Sequence, residues 1–412
     1  MTLKFFNRSE NFPGPIAKNE GVNMQSNPLG CRLADASGSA RSGLSTPFLA
    51  LLTLAQCVFW LGVPAAQAAP LTIGVIGDYG AAYLGGASLS NVQAVANLIK
   101  SWNPDFIITT GDNNYPDGEA SNIDTNIGQF FHEYIYPYVG TFGAGASSNR
   151  FFPCIGNHEW PFGVSGLAPY LAYFTLPGNE RYYNHRHGPV ELFAAVGDQQ
   201  EPDGATPTSI QAMWLSNALA SSTAPWRVVY FHACPYSSSA SHGSYTHQAD
   251  NMLWPFTEWG ATAIYTGHNH LYERVLTNGL NYVTIGLGGV RIDGFVTPVA
   301  GSVSRYNTTY GAVRLIVTET NFVSDFINIF NEVIDSYTLE FLPARLSLQW
   351  TGDLPRIELN GTPGRSYITE ASTNLITWTP IATNRLVSAW TTVLDTGYEG
   401  QPARFYRASN GR

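Results

Sequence analysis

The sequence predicts an α/β fold, a layered β-sheet sandwich flanked by helices, followed by a small all-β domain. Short apolar runs alternate with amphipathic stretches between residues 71 and 320, the pattern of strands covered by helices. After about Leu342 the texture changes to short alternating segments separated by Gly, Pro and Asn, with no helical period. Composition agrees. The chain is 44% hydrophobic, 13% aromatic and only 12% charged, enough for a large core and unlike a disordered or coiled-coil chain.

The chain opens on what reads as a targeting segment. An apolar run, Pro47–Val63, follows Arg32 and Arg41 and ends in Pro64 and the small-x-small site Ala66-Gln67-Ala68, where a signal peptidase would cut. Residues 1–68 are therefore expected to be a leader, and the long stretch before the run fits a start at Met24. The alternative is an uncleaved anchor, for which the run is barely long enough to span a bilayer. A cleaved leader implies a secreted or periplasmic protein with no stable membrane span.

LTIGVIG (Leu71–Gly77) has the length and composition of a buried strand. Ser90 is expected to cap a helix running to about Trp102, with Val92, Val95, Leu98 and Ile99 on one face. FIITT (Phe106–Thr110) and FFPCI (Phe151–Ile155) are the next strands. A helix over Ser209–Ser221 follows, then strands at VVYF (Val228–Phe231), AIYT (Ala263–Thr266), NYVTIG (Asn281–Gly286) and AVRLIVTET (Ala312–Thr320). RLSLQW, RSYITEAS and ARFYRAS are strands of the terminal module. The domain reading is thus leader 1–68, catalytic domain 69–342 and accessory β domain 343–412.

Charge and cysteines narrow the class. A net charge of -9 with no basic patch argues against nucleic acid as a partner. Beyond the leader only Cys154 and Cys234 remain, too few for a disulfide framework. They are read as two buried thiols, with a Cys154–Cys234 bridge as the alternative.

Metal-binding side chains recur at one architectural position, directly after predicted strands. The first strand ends in Gly77-Asp78-Tyr79-Gly80, the second in Gly111-Asp112-Asn113-Asn114-Tyr115, and the third in Gly156-Asn157-His158-Glu159. The fourth ends in His232 and the fifth in Gly267-His268-Asn269-His270. The carboxyl ends of strands in an α/β sheet meet at one edge, so these loops can converge. Two hard cations need anionic oxygens and neutral imidazoles, and a shared carboxylate holds the pair together. Each motif alone is weak: Asp78 would usually be a loop acid and His232 a buried, hydrogen-bonded histidine. Together, in this order, they point to a binuclear centre.

These motifs resemble the calcineurin-like metallophosphoesterases, and in detail the purple acid phosphatase branch. Asp78-Tyr79-Gly80 has glycine where most other branches place a histidine ligand, Tyr115 adds a phenolate, and TGHNHLYER (Thr266–Arg274) is similar to the family's last motif. The resemblance covers about residues 70–342. It implies a metallophosphoesterase-like fold and a ferric site of Asp78, Asp112, Tyr115 and His270. It also implies a divalent site (Fe, Zn or Mn) of Asp112, Asn157, His232 and His268. The implied activity is hydrolysis of phosphate monoesters by a metal-activated water, as in an acid phosphatase. His158 is expected to contact the substrate, and His242 also, with His247 competing for that role; Glu159 either orients His158 or is a solvated loop acid. Glu273 and Arg274 are read as an ion pair serving the fold, and His132, His185 and His187 as surface residues. Rival readings are a phosphodiesterase or nucleotide hydrolase on the same scaffold, or a surface-binding protein with a vestigial metal domain. STNLITWTPIA and ARFYRA resemble C-terminal β domains of secreted bacterial proteins, which implies contact with polysaccharide or a cell surface.

Overall fold

The computed structural model describes residues 69–160, 166–244, 252–351, 354–363, 365–398 and 403–410. The leader reading and His247 lie outside the described residues. No described helix is long and apolar enough to cross a membrane.

The chain first lays down three parallel strands, β1 (Leu71–Ile76), β2 (Phe106–Thr109) and β3 (Phe151–Pro153). It then builds a second sheet from β4 (Tyr183–His187), β5 (Val190–Ala194), β6 (Trp226–Tyr230), β7 (Ala263–Thr266), β8 (Tyr272–Thr277), β9 (Leu280–Ile285) and β10 (Ser302–Tyr306). Finally it returns to the first sheet with β11 (Gly311–Val317), β12 (Asn321–Asn328) and β13 (Val333–Glu340). The first sheet runs β13-β12-β11-β1-β2-β3 and the second β10-β8-β9-β7-β6-β5-β4. Within the second, β5, β6, β7 and β9 are parallel neighbours.

The two sheets pack face to face, and buried tyrosines show how the seam is closed. Tyr265 on β7 hydrogen-bonds Ser324 (3.0 Å) and Tyr337 (2.8 Å) on β12 and β13. Tyr272 on β8 stacks on Phe326 at 4.1 Å and donates to Asp335 at 2.7 Å. Tyr183 on β4 donates to the Pro153 carbonyl at 2.6 Å. Each ring contributes apolar area while its hydroxyl finds a partner across the seam. On the outer side of the second sheet, Phe193, Val229, Phe231 and Ile264 pack on Ala212, Leu215 and Leu219 of the helix Ile210–Ser221. Ser209 caps that helix, accepting from the Ala212 amide at 3.1 Å.

Six more strands, β14 (Arg345–Thr351), β15 (Leu354–Asn360), β16 (Ser366–Ser372), β17 (Thr379–Arg385), β18 (Trp390–Leu394) and β19 (Phe405–Asn410), form a C-terminal strand-rich region. They make two three-stranded sheets, β14-β15-β18 and β17-β16-β19. Ile357, Ala371, Val393 and Tyr406 form one small core there, and Leu359, Tyr367 and Leu386 another.

Several sequence expectations need correction. The first helix spans Gly86–Ser101, a turn longer than expected, with Gly85 at its N-cap; the Ser90 hydroxyl bonds back to the Gly86 carbonyl at 3.1 Å. Strands β4, β5, β8, β10, β12 and β13 have no counterpart among the strands expected from the sequence. Glu273 and Arg274 do not pair with each other, since neighbours on β8 point to opposite faces. Arg274 forks onto Asp335 at 2.6 and 3.0 Å, while buried Glu273 accepts from Ser238 and Ser302. The histidines are not a surface set. His185 stacks on Phe152 at 3.7 Å with both ring nitrogens buried and unpartnered, and burial holds its pKa well below the ordinary value. His187 is half-buried against Phe106, and His132 faces the Ala144 carbonyl. Cys154 and Cys234 are buried free thiols.

Candidate metal centre

The carboxyl ends of β1, β2, β3, β6 and β7 meet at the edge of the seam, and the seven expected ligands converge there. The first sheet supplies every oxygen donor, Asp78, Asp112, Tyr115 and Asn157. The second supplies every nitrogen donor, His232, His268 and His270. Tyr115 Oη lies 2.8 Å from Asp112 Oδ2, 3.4 Å from Asp78 Oδ1 and 3.4 Å from His270 Nε2. His270 Nε2 is also 3.5 Å from Asp78 Oδ1. On the other side, Asn157 Oδ1 sits 3.0 Å from His232 Nε2 and 2.9 Å from His268 Nδ1. Asp112 Oδ2 stands between the groups, at 2.8 Å from Tyr115 and 3.2 Å from His232.

The backbone is bent to achieve this. Asp78, Asp112 and His268 all take left-handed φ, at 55°, 52° and 69°, a conformation that disfavours L-residues by about 1–2 kcal/mol each. Glycine is required where loops touch. A Cβ on Gly156 would fall 2.3 Å from the Asp112 carboxylate, and one on Gly80 would fall 2.1 Å from the Asn113 carbonyl. No side chain fits at position 80 unless the second loop shifts.

The donor chemistry fits cations. His232 Nδ1 faces only the Thr110 carbonyl, at 2.8 Å, so it carries the hydrogen. In neutral imidazole Nε2 is then a lone pair, yet it faces the oxygens of Asn157 and Asp112. Three acceptors pointing at one another need a positive charge among them. The titration directions agree: burial alone would lower His232, but Asp112 and Asp78 outweigh it and push it up to about 10. Burial, reinforced by Asp112 and Asp78, raises the Tyr115 phenol well above its ordinary value, which a cation beside it would reverse. Asp78, Asp112 and His232 each offer an atom within 4.8 Å of the others.

His158 flanks the centre. Its Nδ1 is held by the Pro116 carbonyl, its ring lies 4.2 Å from Tyr115, and Nε2 is 3.9 Å from Asp112 Oδ2. The exposed His242 ring lies 4.5 Å from that of His268. Glu159 neither orients His158 by a side-chain bond nor is solvated. It is buried and accepts from the backbone amides of Asn113 (2.7 Å), Asn114 (2.9 Å) and Gly156 (2.6 Å), clasping the second loop to the third. Burial first, then Asp112, pushes its pKa up to about 7. Two further acids escaped the sequence reading. Buried Asp293 accepts from the His270 amide (3.0 Å) and the Ser241 hydroxyl (2.7 Å), tying the last motif to the loop of His242. Asp198 lies four residues beyond β5 in a Gly197-Asp198 pair, the same signature as Gly77-Asp78 and Gly111-Asp112, which could have flagged it.

Two sheets that deliver oxygen donors from one side and imidazoles from the other define a metallophosphoesterase-type domain. Residues 71–272 match the calcineurin-like phosphoesterase family, and this part of the chain belongs to it. The chain is 27% identical to purple acid phosphatase 18 of Arabidopsis thaliana over 257 residues, covering 57% of this chain and 53% of that protein. It is 24% identical to purple acid phosphatase 5 of the same plant over 297 residues, 65% of this chain and 63% of that protein. It therefore spans between half and two thirds of these relatives. In fold it is similar to purple acid phosphatase PPD1 from yellow lupin (Lupinus luteus) seeds, with a TM-score of 0.53, 20% identity, and 66% of this chain and 54% of that chain covered. It is also similar to GAP50, the anchor in the inner membrane complex of Plasmodium, with a TM-score of 0.51, 16% identity, and 66% and 89% covered. A phosphatase and an anchor share this fold, so any argument for activity must rest on the donor set.

Proposed function

We propose that the chain is a secreted or periplasmic binuclear-metal phosphoesterase that hydrolyses phosphate monoesters in the manner of a purple acid phosphatase. The observation that carries the reading is the junction at Asp112, whose Oδ2 faces Tyr115 on one side and His232 on the other. One ion, ferric, would be held by Asp78, Asp112, Tyr115 and His270. The other, divalent Fe, Zn or Mn, would be held by Asp112, Asn157, His232 and His268. When bound, such a pair lowers the pKa of water and neutralises phosphate oxygens.

The chain's own residues do the rest. Asp112 keeps the two donor groups at fixed separation. His158, with Nδ1 fixed on the Pro116 carbonyl, presents Nε2 to a phosphate oxygen as charge builds there. His242 delivers a proton to the departing alkoxide. The rival of a vestigial metal domain predicts substituted ligands, and the sequence carries a donor residue at each of the seven expected positions. Residues 343–412 act as an accessory module for polysaccharide or cell-surface contact.

The test is metal analysis, a visible spectrum and aryl phosphate turnover on the same iron-loaded sample. Two ions, a Tyr115-dependent absorption band and turnover are expected. Two ions without turnover would refute the hydrolase reading. A panel of mono- and diesters decides between monoesterase and diesterase or nucleotide hydrolase.

A further inference from the structure

A sixth strand end reaches this edge of the sheet. β5 runs parallel to β6, the ladder continues through Ala195 N to the Tyr230 carbonyl (3.0 Å), and the chain then turns at Gly197-Asp198. Asp198, Asn157 and His232 line one niche together with Gly156 and Gly197. Its free volume, ≈ 10 Å³, is about that of one water. Asp198 is half-buried, and its Oδ1 accepts the Gln200 amide at 2.8 Å, a local turn. Its field reaches the centre, since His232 and Asp112 are among the charges that act on it.

We propose that Asp198 is a positioning residue whose carboxylate holds one water against Asn157 and His232, fixing how water meets the ion these two residues would bind. The inference rests on the metal-centre reading above. A water in so small a niche needs two to four polar partners. The Asp198 carboxylate can accept from it and the Asn157 side-chain NH2 can donate to it, while both His232 nitrogens are already engaged and the ring only walls the niche. Groups that orient a metal's surroundings in this way typically matter roughly 10–100-fold in metal affinity or activity.

The discriminating variant is Asp198→Asn. Asparagine keeps the side-chain oxygen that accepts the Gln200 amide and nearly the same volume, so a residue serving only the turn would tolerate it. Zn(II) is titrated calorimetrically into iron-loaded wild type and variant, and kcat and KM are measured separately on aryl phosphate. Asp198→Asn is expected to bind Zn(II) roughly tenfold more weakly and to lose kcat by a similar factor, with KM unchanged or lower. Its unfolding midpoint should match the wild type. Affinity and kcat both within twofold of wild type would overturn the proposal. If wild type binds both ions but turns nothing over, the hydrolase reading fails, and the Zn(II) titration alone still judges Asp198.

Discussion

Glu159 offers the sharpest test of how the centre is held together. One oxygen accepts two amides of the second loop, at 2.7 and 2.9 Å, and the other accepts Gly156 of the third loop at 2.6 Å. Those loops carry Asp112 and Tyr115 on one side and Asn157 on the other. In Glu159→Gln the amide group must face at least one N–H donor with another donor, while the charge that strengthens the remaining bonds is gone. Hydrogen bonds to a charged group contribute about 1.5–3 kcal/mol each, and a buried donor left unmade costs about 1–3 kcal/mol. Glu159→Gln should therefore destabilise by roughly 2–4 kcal/mol, and Glu159→Ala, which orphans three buried amides, by roughly 3–6 kcal/mol. That is a large share of the roughly 5–15 kcal/mol that holds a domain together. Denaturant unfolding at fixed metal concentration and at pH 8, above the Glu159 pKa of about 7 so that the carboxylate is ionised, measures the loss, and metal analysis should show weaker retention of both ions. A Glu159→Gln protein within about 0.5 kcal/mol of wild type, with full metal content, would refute the clasp.

Three other substitutions probe different parts of the structure. Tyr115→Phe removes the phenol that Asp112 meets at 2.8 Å; iron-loaded variant should lose its visible band, while unfolding free energy changes by only about 1 kcal/mol. Gly80→Ala puts a methyl carbon 2.1 Å from the Asn113 carbonyl; it should cost roughly 2–4 kcal/mol in denaturant unfolding and lower metal content, whereas an unchanged midpoint would show the loop to be pliant. His185→Phe replaces an imidazole whose nitrogens lack partners with an apolar ring of similar size, and should raise the unfolding midpoint. Because burial depresses the folded pKa of His185, the unfolded chain takes up a proton first as pH falls through about 6.5. Wild type thus loses stability below that pH and the variant keeps it, so the gain measured at pH 5 should exceed the gain at pH 8.

What the sequence made legible follows from where chemistry constrains residue type. A cation pair tolerates few donors, and strand ends are where parallel sheets bring loops together, so the proposed ligands Asp78, Asp112, Tyr115, Asn157, His232, His268 and His270 could be picked out as a set that meets at one edge. Strands β1, β2 and β7 were readable because burial on both faces demands continuous apolar runs. The residues that stayed hidden act through partners that are distant in sequence. Glu159 looks like any loop acid until the second loop is placed beside it. Asp293 needs both the His270 amide and Ser241 to have a role. YNHRH at β4 reads as solvent-facing, yet Tyr183 and His185 pack inward on Phe152 and the Pro153 carbonyl. Ser90 carries a cap residue's side chain, but the chain had already entered the helix at Gly86.

The division of donors between the sheets sets what the centre depends on. Asp78 receives the His268 amide on both carboxylate oxygens, at 3.1 and 3.0 Å, so β1 in one sheet is tied to β7 in the other. Asp112 meets His232 and Asn157 meets His268 across the same seam. Neither sheet alone holds a complete set for either of the proposed ions. The spacing between oxygen and nitrogen donors is therefore fixed by the packing of the sandwich, by contacts such as Tyr265 on Ser324 and Tyr272 on Phe326, far from the chemistry. The local geometry opposes the arrangement: three of the proposed ligands sit in left-handed backbone and two buried carboxylates crowd one phenol. Strain of this kind persists only where the surroundings over-determine it. Here two rigid sheets do so, which is why the donors can be held close together while the fold's stability resides in the aromatic seam beneath them.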